Sequence, residues 1–97
     1  MSYEVYQNLI LYRLPGATFP LQFTFWERQW RLETAYVEGA GHWRCMIEGP
    51  QCWYVCSGHN QIDLEKKLTE TGIEIPSRTF PGTVFRFLYQ AGIAQKL

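Results

Sequence analysis

Between residues 21 and 57 apolar and polar side chains alternate with period two almost without a break, and turn-forming residues cut the stretch into four segments. Alternation over short runs marks strands with one buried face. The spacing predicts strands over residues 21–27, 30–37, 42–47 and 52–56. Turns are expected at Arg28-Gln29, at Glu38-Gly39-Ala40-Gly41 and at Gly49-Pro50. Consecutive strands joined by such short turns make an antiparallel meander.

A register follows from those turns. With Glu27 facing Trp30, Val37 facing His42 and Glu48 facing Gln51, one face collects Leu21, Phe23, Phe25, Leu32, Thr34, Tyr36, Trp43, Cys45, Ile47, Cys52, Tyr54 and Cys56. Only Thr34 in that set is clearly polar. A slip of one residue would reverse every side chain, so agreement across all the turns marks this as the core face. The opposite face is mostly polar, as a solvated sheet face should be. It nevertheless carries Trp26, Met46, Trp53 and Val55 among Arg31, Glu33 and Arg44.

The flanks read as helical. Ser2 can cap a helix in which Val5, Leu9 and Tyr12 recur at helical spacing until Leu14-Pro15-Gly16 stops it. Alternation over residues 6–14 is the competing reading and would add a fifth strand. Asn60 can cap a second helix with Ile62, Leu64 and Leu68 inward, Glu65, Lys66, Lys67 and Glu70 outward, and Gly72 as its stop. Residues 73–78 read as extended and are kept short by Pro76. Phe80-Pro81-Gly82 leads into a third helix over residues 83–91, where alternation of Phe85, Phe87 and Tyr89 leaves a strand open. The expected fold is α+β: an N-terminal helix, a four-stranded antiparallel β-meander and two C-terminal helices packed on the sheet, in a single domain spanning residues 1–97.

Composition narrows the partners. Nine Lys and Arg balance nine Asp and Glu, so the formal net charge is zero, which removes the basic footprint of a nucleic-acid binder. A neutral surface suits partners recognised by shape and apolar contact, and it lowers the repulsion that opposes self-association. No apolar stretch reaches the roughly 18 residues of a membrane span, and the first residues lack the basic-then-apolar pattern of a secretory signal. Three cysteines suit a reducing compartment better than a disulfide framework. The chain therefore reads as cytoplasmic, with no membrane partner.

Candidate chemistry is sparse. His42, Cys45, Cys52, Cys56 and His59 are metal-ligand types within a short stretch, but their spacing matches no paired knuckle, and the alternation puts the thiols and His42 on opposite faces. The three cysteines read as small core residues. Cys56, three residues before His59, is the one candidate nucleophile. No phosphate loop, serine elbow or zinc helix motif is present, and no cofactor is implied.

Function follows by elimination. The leading expectation is a non-catalytic protein-binding module, whether homodimer, inhibitor or adaptor, that uses Trp26, Arg31, Arg44, Met46 and Trp53, since aromatic and Arg side chains are enriched at interface centres. The alternatives are a small-molecule binder or minor enzyme with a pocket near His42, His59 and Cys56, and a binder of single-stranded nucleic acid by base stacking. Neutral charge counts against the last.

Overall fold

The computed structural model describes residues 8–97. Among the described residues seven strands and two helices follow one another: β1 (Leu9–Arg13), β2 (Leu21–Phe25), β3 (Arg28–Val37), β4 (His42–Glu48), β5 (Cys52–Gly58), α1 (Gln61–Lys66), β6 (Ile73–Pro76), α2 (Phe80–Gln90) and β7 (Gln95–Lys96). They make two antiparallel sheets, one of order β2-β3-β4-β5 and one of order β6-β1-β7. A π-helical turn, Lys67–Thr71, extends α1.

The four-stranded meander is present, but among the described residues the expected N-terminal helix is replaced by a strand. Residues 9–13 form β1, and the first part of the expected helix lies outside the described residues. The alternating reading wins for a backbone reason. Strand β6 is too short to stand alone, and β1 gives it a ladder with Ile10 opposite Ile75 and Tyr12 opposite Ile73. The same pairing places Tyr12, Ile73 and Ile75 in the core. The expected α+β arrangement is thus corrected to a β-rich fold of two sheets, with both helices C-terminal to the meander.

Those helices form for the expected local reasons. Asn60 Oδ1 accepts a hydrogen bond from the Asp63 amide at 2.8 Å and caps α1. Leu64 and Leu68, four apart, face inward, whereas Ile62 is 79% exposed. Two residues from Leu64 it falls on the far side of the helix, which corrects its expected inward position. Gly72, at φ 92°, ends the π turn by donating to the Lys67 carbonyl at 2.7 Å. Helix α2 starts earlier than residue 83: Thr79 Oγ1 caps it by accepting from the Gly82 amide at 3.2 Å, and Pro81 sits in the first turn. Gly82 is required there because a Cβ would collide with the Pro76 carbonyl.

One contiguous core joins both sheets and both helices. From the meander it takes Phe23, Phe25, Trp30, Leu32, Cys45 and Ile47, from α1 and its extension Leu64 and Leu68, and from α2 Val84, Phe85 and Leu88. Phe87 of α2 packs on Phe25 and Phe23, with ring centroids at 5.0 and 6.4 Å. No helix among the described residues is long and apolar enough to cross a membrane.

Register departs from expectation at two of the three turns. The first turn is Trp26-Glu27, so Phe23 faces Trp30 and Phe25 faces Arg28. That shift is even, and the core face keeps its residues. The last turn holds three residues, so Glu48 faces Cys52 and Ile47 faces Trp53. This odd slip turns Trp53 to the inner side and sends Cys52 and Tyr54 to the outer face. A bulge at Val55 then restores the inner position of Cys56, opposite Cys45. Tyr36 retains inner parity but is 52% exposed.

Candidate functional site

The β2–β3 hairpin turns through Trp26 and Glu27, both with positive φ, 52° and 61°. Two positive-φ residues in a two-residue turn follow the type I′ pattern, which favours Asn-Gly because a Cβ is strained in that region. Trp26 is nonetheless held there, 65% exposed. Its indole stacks on Phe25 at 4.6 Å and meets the edge of Phe80 at 5.8 Å. Phe80, at the start of α2, also lies 5.0 Å from Trp53 in a stacked arrangement and 5.0 Å from Trp30. Trp30 is buried, and its Nε1 donates to the Phe25 carbonyl at 3.0 Å. The outcome is an aromatic ledge, Trp26–Phe80–Trp53, with an exposed indole at each end.

Beyond Trp53 the ledge opens into a groove of about 310 Å³ lined by Tyr54, Pro76, Thr79, Pro81 and Glu74 among others. Its walls belong to β5 and β6, the terminal strands of the two sheets. Each therefore presents a strand edge with no neighbour among the described residues. Strand β5 carries no charged residue and no proline. Thr79 is committed to capping α2 and donates its hydroxyl to the Pro76 carbonyl at 2.7 Å. Glu74 is exposed and forms no ion pair among the described residues.

The outer sheet face holds the rest of the expected patch. Arg31 reaches Glu33 at 3.1 Å and Glu48 at 3.3 Å. A hydrogen bond between the two carboxyls pushes Glu33 up and holds Glu48 below the usual carboxylate value. With its charge matched twice, Arg31 has little left to offer a ligand, and the same cancellation applies in the polar hollow of about 470 Å³ beside it. Met46 accepts from the Cys52 thiol at 3.4 Å. Arg44 lies over the Tyr54 ring, 4.7 Å from its centroid, and donates to His42 Nε2 at 3.0 Å. His42 Nδ1 then carries the proton and donates to the Ala40 carbonyl at 3.0 Å.

The five expected binding residues thus divide. Trp26 and Trp53 meet through Phe80, Arg44 joins them through Tyr54, and Arg31 and Met46 stand apart on the outer face. Met46 faces Tyr54 rather than Trp53, and Gln22 rather than Trp26 faces Arg31. The sequence places Tyr54 on the core face, Pro76 in a short extended run and Phe80-Pro81 ahead of the third helix, and none of them in the binding patch, although Thr79-Phe80-Pro81 carries the cap and first-turn proline of a helix start.

The histidine and cysteine candidates do not assemble. His42 has outer-face parity while Cys56 pairs with Cys45 on the inner face. Cys52, expected in the core, is exposed. Among the described residues no three of His, Cys, Asp and Glu converge as metal ligands. Comparisons with family models, with curated proteins and with solved structures find no match to this chain.

Proposed function

We propose that this chain is a non-catalytic protein-binding module whose ledge and groove receive an extended, largely apolar segment of a partner protein bearing a basic side chain. Trp26, Trp53, Tyr54 and Arg44 are the anchors. The supporting observation is Trp26 itself: a bulky residue in a left-handed turn costs about 1–2 kcal/mol relative to a residue suited to it, and strain of that kind clusters at functional sites. Proline and aromatic walls suit extended segments, which bind by strand edges and shallow pockets. Glu74, exposed, without an ion pair among the described residues and the one charged side chain lining the groove there, is complementary to one Lys or Arg. A second copy of the chain is the other candidate occupant.

The catalytic alternative near His42, His59 and Cys56 loses support because the His42 ring and the Cys56 thiol lie on opposite faces. Base stacking gains none from a surface of zero net charge whose Arg31 is already paired.

Selection from a displayed library of random peptides tests the reading. The expected result is enrichment of peptides with Lys or Arg among apolar residues, at least about tenfold weaker binding to Trp26→Asn and Trp53→Ala, and reversal of the charge preference by Glu74→Lys. Trp26→Asn should fold with nearly unchanged stability, because relief of about 1–2 kcal/mol of backbone strain offsets the loss of ring contacts worth about 0.5–1.5 kcal/mol beyond their buried area. A dimer in light scattering that Trp26→Asn breaks would make the second copy the occupant. Peptides that bind wild type and all the variants alike would reject the site.

A further inference from the structure

We propose that Cys45 and Cys56 form a peroxide-reactive dithiol, with Cys56 as the attacking thiol and Cys45 as the resolving one, which closes into a cross-strand disulfide. The pairing originates in the bulge. Continuing the ladder from Ile47 opposite Trp53 and Met46 opposite Tyr54 would set Val55 against Cys45, but the register shift places Cys56 there instead. Directly opposed residues of an antiparallel pair have Cα atoms about 4.5 or 5.5 Å apart. Either spacing falls inside the roughly 4.4–6.8 Å that a disulfide spans. Both side chains share the inner face, so closure needs no reversal of either strand.

The two thiols have different surroundings. Cys45 is fully buried, whereas Cys56, on the terminal strand β5, is partly exposed. A hydrogen bond from Cys45 holds the Cys56 thiol below its ordinary value; burial opposes this, the Lys67 ammonium adds to it and the Asp63 carboxylate subtracts. The same hydrogen bond, with burial, keeps Cys45 protonated. Lys67 is fixed beside the site, because its Nζ donates to the Ser57 carbonyl at 3.0 Å and lies 3.7 Å from Asp63 Oδ2. A partly exposed thiol next to a lysine is the setting in which cysteines react.

The chemistry balances with hydrogen peroxide as oxidant. The Cys56 thiolate attacks one peroxide oxygen, an S–O bond forms as the O–O bond breaks, and the departing hydroxide takes up the proton that Cys56 released, giving a sulfenic acid and water. The Cys45 sulfur then attacks the Cys56 sulfur. An S–S bond forms, the S–O bond breaks, and hydroxide leaves with the Cys45 proton as a second water. Both sulfurs are oxidised and the peroxide is reduced.

The test uses the full chain carrying Cys52→Ser, treated with hydrogen peroxide in the folded state and mapped by mass spectrometry without reductant. The expected product is a monomer lighter by the hydrogens of two thiols, with Cys45 and Cys56 in one linked peptide that dithiothreitol separates. Adding Cys45→Ser should leave Cys56 as a sulfenic acid trapped by dimedone. Adding Cys56→Ser should leave Cys45 at least about tenfold slower to label than Cys56 is in the parent. Should either double variant fail to fold, peroxide mapping of the parent decides by itself. Two unreacted thiols in the folded parent, or oxidation only to disulfide-linked dimers, would overturn the proposal.

Discussion

The two faces of the four-stranded sheet are built from neighbouring residues of the same strands, yet they answer to different rules. On the inner face Phe23, Trp30, Leu32, Cys45 and Ile47 are buried beneath α1 and α2, and each occupies space that nothing else fills. On the outer face Arg31, Glu33, Arg44, Met46, Glu48 and Tyr54 are all at least partly exposed, and they interact in pairs that water screens. The inner face supplies stability through volume and area. The outer face and the rim where Trp26 and Trp53 emerge are free to be chosen for something other than folding.

That division can be broken or sharpened by substitution. The largest effect is expected for Leu32→Ala, which removes a fully buried side chain and should cost about 2–5 kcal/mol in urea unfolding. A loss below 1 kcal/mol, on the order of a surface change, would mean that the inner face is not the core. Asn60→Ala comes next. It removes the cap of α1 and should cost about 1 kcal/mol, so the inner face depends on its cover as well as on its own side chains. Smallest is Arg31→Ala, expected to change stability by no more than about 0.5 kcal/mol although Arg31 joins two carboxylates. A larger loss there would show that the outer face also holds the fold together.

Much of the meander was legible because period-two alternation states which side of a strand is buried, and most of the inner set stands. Strand β5 was not legible. Its three-residue turn and its bulge are two irregularities of opposite effect, so Cys56 kept its expected face while Trp53 and Tyr54 exchanged theirs. Gly49 shows the cause: a Cβ there would run into the Trp30 ring, so the turn is shaped by a contact from another strand. Residues 9–13 were misread for a related reason. Alternating and helical spacing both fit so short a run, and only pairing with β6, some 60 residues away, selects the strand. The aromatic ledge was half visible, in Trp26 and Trp53, and Phe80 was missed because α2 brings it in from another element.

Alternation, caps and turn residues by themselves determined that a four-stranded meander precedes two helices, since these are local properties of the chain. The tertiary structure alone decided that β1 pairs with β6, that Trp53 faces Phe80 and that Cys56 faces Cys45. Each of those depends on contacts between residues far apart in sequence, where a shift of a single position is silent in composition and reverses what every side chain meets.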